Sequence, residues 1–456
     1  MRKKIVLIGA GSAAFTQGLV ADLILSPDFE GCELGLVDID PQALETAEGI
    51  ARRMIESRKS EIIISTSTDC RDILPNALVV VTTIGVGGRR AWEQDVFIPR
   101  KYGIYQPVGD TVMPGGISRA LRMIPPLVKI ANSIAELCPN AWFFNYSNPM
   151  SANCCAIRQA TNVPVVGLCH GVFHVERQLA DFIGAPPEEV TSLYTGINHC
   201  TFIYDFRWKG RDALPLIQAR LNQERGESAC LTKLKEIFPE IDGFSNEVQS
   251  ASNPFSWSIF DTYQAYPAVN DRHVVEFFPE RFPNGAYYGK TLGVDAFSFE
   301  NTIAGGDNAY VVMQAISTGK KPLDNGIFQR SAGEHEQVLD ILHCMEHGQR
   351  RIFSVNLPNL GAVPNLPFGA VLELPAVATA TGFRAIQLPD FPNTLASIVN
   401  RKLTAIQLTV EAALNGDRGL FIEALLADGA VVDPNVAGKM ADELLEAHRS
   451  NLSAFF

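Results

Sequence analysis

The strongest constraint on this chain lies at its start. An apolar run from Lys4 to Ile8 breaks at Gly9-Ala10-Gly11-Ser12, and helical spacing then continues through Leu19, Leu23 and Leu25. A strand that stops at a glycine-rich turn and resumes as a helix gathers backbone N–H groups where a pyrophosphate can bind. Gly9 and Gly11 allow the tight turn and the close approach, Ser12 sits in the same loop, and Ala14 occupies the place of a third glycine. The next apolar segment, Glu33 to Asp40, ends in acids. Asp38 there suits a ribose diol and repels a 2′-phosphate, so the expected dinucleotide is NAD. Pro41 opens the following helix at its first turn, where a missing N–H costs nothing.

The alternation continues. Ile62 to Ser65, Ala77 to Ile84, Ala141 to Asn145 and Pro164 to Leu168 read as strands, and Ser118 to Leu137 carries helical spacing. Strands alternating with helices over the first 170 residues or so predict an α/β fold with a Rossmann-type, doubly wound, mostly parallel sheet. Past about residue 200 the pattern changes to aromatic and proline-containing stretches (Trp257 to Pro279), longer loops (Asn356 to Pro367) and two late helices, Thr394 to Asn415 and Val436 to Ser450. Residues 1–195 are therefore expected to form the NAD-binding domain. Residues 196–456 are expected to form a mixed α/β domain for substrate, metal and subunit contacts.

Composition narrows the partners. A formal charge of -12 argues against a nucleic-acid or anionic-membrane surface. No apolar stretch reaches the roughly 18 to 20 residues of a membrane helix, and the opening apolar run is too short for a signal peptide, so the cytoplasm is the expected compartment. The nine cysteines are odd in number and irregular in spacing, which fits neither a disulfide framework nor a zinc ribbon.

Ligands of doubly wound sheets bind at the carboxyl ends of the strands. Three polar segments fall there: Asn145-Tyr146-Ser147-Asn148-Pro149-Met150, Cys169-His170-Gly171-Val172 and Gly196-Ile197-Asn198-His199. Cys169 and His199 form a pair able to hold a divalent metal through thiolate and imidazole. Taken alone, a Cys ending an apolar strand is more often core, and a lone His more often a hydrogen-bonded structural residue. The run Tyr263 to His273, with Glu276 behind it, sets a carboxylate beside Arg and His, as in a catalytic base or a charged loop. His343-Cys344-Met345-Glu346-His347 has the order of an inverted zincin but shows no third ligand, and reads as a polar helix face.

Together the segments resemble the family 4 glycoside hydrolases over nearly the whole chain. The likeness is carried by Gly9-Ala10-Gly11-Ser12, Thr111 to Arg119 with Pro114-Gly115-Gly116, Asn148-Pro149-Met150, Cys169-His170-Gly171-Val172, Gly196-Ile197-Asn198-His199 and Asn365-Leu366-Pro367. That family departs from the two-carboxylate mechanism by using NAD. The resemblance implies a lactate/malate dehydrogenase-like fold, a dimer or tetramer of identical chains, and redox-assisted elimination. Hydride leaves C3 of the sugar for NAD, the C2 proton becomes acidic and is removed beside a divalent metal, typically manganese, and the aglycone departs before the hydride returns.

By position, the resemblance makes Cys169 and His199 the metal ligands, Asn148 and Asp110 sugar contacts, Asp271 the C2 base (a tyrosine in some members), and His170 the group near the leaving oxygen. His170 with Gly171-Val172 is unlike the phosphoglycosidase members and closer to the uronidase branches, so an unphosphorylated α-galacturonide or α-glucuronide is expected, with Arg272 pairing the uronate carboxylate. A neutral-sugar α-glucosidase or α-galactosidase is the alternative within the family. Outside it stand a 2-hydroxy-acid dehydrogenase and a non-catalytic NAD sensor.

Overall fold

The computed structural model describes residues 2–12, 15–227, 231–239, 252–329 and 337–456, so Ala14 lies outside the described residues. The strands, in chain order, are β1 (Lys4–Ile8), β2 (Glu33–Val37), β3 (Ile63–Ser67), β4 (Val79–Thr82), β5 (Trp142–Asn145), β6 (Val165–Leu168), β7 (Val190–Ile197), β8 (Cys200–Trp208), β9 (Arg211–Asp212), β10 (Tyr266–Pro267), β11 (Ala286–Tyr287), β12 (Lys290–Thr291), β13 (Ile352–Pro358), β14 (Val371–Thr379) and β15 (Gly382–Ala385).

The first six strands pair in parallel in the order β3-β2-β1-β4-β5-β6. This doubly wound order puts the topological switch between β1 and β4, where a crevice opens beyond the strand ends. The sheet is covered on both faces. Ile5 and Leu7 enter one buried cluster while Val6 and Ile8 enter another, as the two-residue period of a strand requires. At about 1.5 to 3 kcal/mol for each fully buried large aliphatic side chain, this two-sided burial holds the Rossmann half together.

The same sheet runs on without a break. β13 pairs antiparallel with β6 through Val355–Leu168 and Asn356–Gly167, followed by β14, β7, β8 and β10. The expected boundary at residue 196 therefore falls inside β7, and the second half extends the first half's sheet. β7 and β8 form a hairpin in which Ile197 faces Cys200, leaving Asn198-His199 as its two-residue turn.

Three helices differ from expectation in their bounds. The helix expected from Ser118 runs Met113–Leu137, with Pro114 in its first turn, so Pro114-Gly115-Gly116 lies inside the helix. The late helices run Asn393–Asn415 and Pro434–Ala447 and share a core with Met113–Leu137. A buried ion pair, Arg122 with Asp95, ties this bundle to the C-terminus through His448, whose Nε2 lies 2.9 Å from Asp95 Oδ1. No helix among the described residues is long and apolar enough to cross a membrane.

Candidate active site

The glycine turn sits at the switch point. Gly9 has φ +93°, and a Cβ there would lie 2.8 Å from the Thr83 carbonyl carbon and the Ile84 nitrogen, so only glycine fits between the ends of β1 and β4. Its N–H donates to Val37 O at 2.8 Å, joining the turn to β2, and Ser12 N donates back to Gly9 O at 3.2 Å. Asp38, half-buried at the end of β2, accepts Gly11 N at 2.8 Å and Asp40 N at 3.0 Å, one on each oxygen. Each oxygen keeps a further lone pair that a ribose hydroxyl can use.

From this turn a chain of contacts crosses the crevice. Arg119 passes close to Gly85, after β4, and its Nε donates to Asn148 O at 3.1 Å, after β5. Asn148 Nδ2 donates to Asp110 Oδ2 at 2.9 Å. Thr111 Oγ1 lies 2.6 Å from Asp110 Oδ1 and 2.9 Å from His199 Nδ1. The His199 ring packs on His273, with centroids 4.4 Å apart. Asp110, His199 and His273 each offer a donor atom within 4.8 Å of the others.

Chemistry assigns the protons. Burial opposes ionisation of Asp110, but His199, His273 and Arg119 outweigh it and hold its carboxyl below the usual range. An ionised carboxylate only accepts, so the single Thr111 hydroxyl proton goes to Asp110. Thr111 then accepts the Nδ1–H of His199, which leaves Nε2 as the position where a cation could take the place of a proton. His199 also has φ +66°, a left-handed conformation that costs a non-glycine residue roughly 1 to 2 kcal/mol. Strain of this kind, kept at a turn that glycine would fill freely, marks a side chain retained for what it does.

The loop carrying Asp110 and Thr111 is clamped from two sides. Glu276, 3% exposed, accepts Val108 N and Gly109 N at 2.8 Å each. On the other side a Cβ on Gly116 would lie 2.3 Å from the Thr111 carbonyl carbon.

Cys169 ends β6, its carbonyl accepting Gln337 Nε2 at 2.8 Å. Burial first, then the nearby Glu373, pushes its thiol up to about 11. Asn198 lies beside both Cys169 and Glu373, yet neither of its buried amide atoms closes a hydrogen bond. Glu373 is 2% exposed, accepts Thr201 Oγ1 at 2.6 Å, and is itself raised by burial. The structure thus sets Cys169 beside Asn198, the residue before His199, while the donors it gathers within 4.8 Å of one another are Asp110, His199 and His273. Two imidazoles and a carboxylate fit a divalent cation.

The remaining sequence candidates separate. His170 precedes the helix Gly171–Ile183, with its ring 6.1 Å from Tyr146, which packs 4.5 Å from Phe15 of the first helix. It therefore lies toward the cofactor turn. Arg272 donates to Thr302 Oγ1 at 3.0 Å, and its Nε is buried with no partner.

Asp271 was expected to act as the C2 base. It is wholly buried and accepts Phe255 N (2.8 Å), Ser256 N (2.8 Å), Ser256 Oγ (2.6 Å) and Tyr287 Oη (2.6 Å), two bonds on each oxygen. Three of these bonds hold the start of the helix Pro254–Tyr263 and the fourth takes the Tyr287 hydroxyl, so all four lone-pair positions are engaged. His273, two residues on in the short helix Asp271–Val274, is the group that helix gives to the cluster. The sequence signal for it is the His closing the run Tyr263 to His273; Glu373 was not singled out, and its signal is a lone acid in the apolar run Val371 to Leu374.

Residues 4–185 match the model of family 4 glycosyl hydrolases, and residues 194–431 match the model of that family's C-terminal domain. The chain is 30% identical over 447 residues to an alpha-glucosidase of Erwinia rhapontici, covering 94% of each chain. It is 30% identical over 473 residues to an alpha-galacturonidase of Thermoanaerobacterium saccharolyticum, covering 99% of this chain and 97% of that one. The solved structure of a 6-phospho-alpha-glucosidase from gut microorganisms, in complex with NAD and glucose-6-phosphate, has the same fold, with a TM-score of 0.80 at 22% identity over 99% of each chain.

Proposed function

The chain belongs to the family 4 glycosyl hydrolases, and from that premise we propose that it cleaves unphosphorylated α-galacturonides with resident NAD and a divalent cation, manganese first. The observation that carries the reading is His199 itself, strained at a tight turn, its Nδ1 2.9 Å from the Thr111 hydroxyl and its ring clustered with Asp110 and His273.

When bound, the two cofactors supply reversible hydride exchange at C3 and Lewis-acid polarisation of the sugar oxygens. The rest falls to this chain's side chains. Gly9, Gly11, Ser12 and Asp38 hold the dinucleotide; Cys169 and His199 hold the cation. Asn148 and Asp110, already bonded to each other, orient the sugar hydroxyls. We assign the C2 proton to His273, which burial and the neighbouring His199 hold neutral and so able to accept one, while Asp271 ties the short helix that carries His273 to the start of the helix Pro254–Tyr263. His170 serves the leaving oxygen. Arg272, with an unpartnered buried Nε one residue before His273, receives the uronate carboxylate. The equal identity to a relative named for a neutral sugar supports α-glucosidase activity as the second reading.

The test is release of p-nitrophenol from α- and β-galacturonides, glucuronides, glucosides and galactosides, with NAD+, Mn2+ and thiol each present or omitted. Release needing all three and fastest on the α-galacturonide is expected, and Cys169→Ser should abolish it while NAD binding persists. A faster α-glucoside would transfer the reading to the neutral sugar. Stoichiometric NADH formation from a hydroxy acid, with no glycoside cleaved, would replace it by a dehydrogenase.

A further inference from the structure

The fold gives His343 and His347 the third ligand that the sequence around them lacks. They stand four residues apart on the helix Gln337–His347, with ring centroids 4.4 Å apart. Asp28, on the turn Pro27–Phe29 and 315 residues away in sequence, reaches both: Oδ2 contacts His343 Nδ1, and Oδ1 lies 3.1 Å from His347 Nε2. Asp28, His343 and His347 each offer a donor atom within 4.8 Å of the others. This cluster adjoins the amino ends of β1 and β2, at the sheet edge opposite the catalytic crevice.

We propose that Asp28, His343 and His347 form a second cation site, specific for a borderline transition metal of the zinc type. Two imidazoles and one carboxylate suit zinc, whereas manganese and magnesium favour oxygen-rich sets. Donors around a tetrahedral zinc stand about 3.3 Å apart, given Zn–N bonds of about 2.0 to 2.1 Å, close to the 3.1 Å between His347 Nε2 and Asp28 Oδ1.

A further contact points the same way. His343 Nε2, the nitrogen facing away from Asp28, lies 3.0 Å from the Gln349 side-chain amide. As placed, the amide nitrogen faces this ring nitrogen; a metal-bound imidazole would donate its other N–H there, and the amide would present its oxygen to it after rotating end for end. Lys3, the nearby cation, is already engaged: it donates to Asp28 O at 2.9 Å and pairs with Glu346. The role is a brace. The opposite end of the same helix holds the Cys169 carbonyl through Gln337, so a cation at His347 anchors, about 15 Å away, the element that supports Cys169.

The test is titration of chelator-stripped, full-length enzyme with Zn2+. Loss of one molar equivalent in His347→Ala relative to wild type is expected, with that equivalent retained in Cys169→Ser. Gln349→Ala should keep the equivalent but bind it about tenfold more weakly. Co2+ at this site should give visible d–d bands in Cys169→Ser that disappear when His343→Gln is added to it, while manganese- and NAD-dependent turnover confirms that His347→Ala and His343→Gln, each with Cys169 intact, are folded. Equal Zn2+ stoichiometry in wild type and His347→Ala, or cobalt bands only where the Cys169 thiolate is present, would overturn the proposal.

Discussion

Replacing Glu276 by glutamine tests whether the catalytic loop is held by a carboxyl that keeps its proton. Burial, partly countered by the Gly109 and Val108 N–H groups, pushes Glu276 up to about 8 from an ordinary 4.5, and the charge of Asp110 adds to the rise. The unfolded chain then ionises this group near 4.5 while the folded chain keeps it protonated until about 8. Its favourable contribution is complete below the lower value, falls as pH rises, and is gone above the upper one. The interval of about 3.5 pH units, at about 1.36 kcal/mol each, sets a ceiling of about 5 kcal/mol. Of this, about 3 kcal/mol falls between about pH 5.5 and about pH 8.5. Glutamine has the shape of the protonated acid and can still accept the Val108 and Gly109 N–H groups, so Glu276→Gln should lack this pH dependence. Urea unfolding of both proteins across that range measures it, because every other titrating group cancels in the difference. The variant should gain on wild type steadily toward alkaline pH. A difference that stays flat would refute the argument and show that Glu276 is already ionised in the fold.

Two other substitutions probe positioning and packing. Thr111→Val removes the hydroxyl that fixes the His199 tautomer and should weaken Mn2+ binding roughly 10- to 100-fold, while Thr111→Ser preserves it; calorimetric titration with NAD affinity as the control decides, and unchanged Mn2+ affinity would remove the tie from the mechanism. Arg122→Met leaves Asp95 charged and fully buried against His448, and should cost about 3 to 5 kcal/mol in urea unfolding. Burial works against ionisation of Asp95, but Arg122 and His448 hold it below its usual range, so the stability it adds is present above about pH 3.8 and is lost as pH falls further. A wild-type-like midpoint for Arg122→Met at neutral pH would contradict the pair's importance.

The Rossmann half was legible because its signals are local. β1, β2, β4, β5 and β6 are short apolar runs, each ended by glycine, an acid or a polar segment, and the structure moves their bounds by only a few residues. The second half was not, because its order depends on distant pairing. Nothing around Ile352–Pro358 announces that β13 will lie against β6 nearly two hundred residues earlier, making one sheet of what the pattern suggested were two domains. The same distance hid Asp28 from the His343-His347 pair. For Asp271 the difficulty is angular. Residues 271 and 273 are about 200° apart around a helix at about 100° per residue, so only one of them can face the cluster, and the sequence does not say which.

What distinguishes this site is how little its central strain depends on any one contact. His199 keeps a left-handed backbone because its ring is tied to Thr111, whose own loop is tied to Glu276 at Val108 and Gly109 and pressed against Gly116. Strained residues persist where their surroundings over-determine them. Loss of one tie should therefore leave the hairpin folded while the ring gains freedom. Damage should appear first as weaker cation binding and only later as lost stability. On that reasoning the groups that matter extend past the proposed ligands to Thr111, Glu276 and Gly116, whose contacts fix where His199 and Asp110 sit.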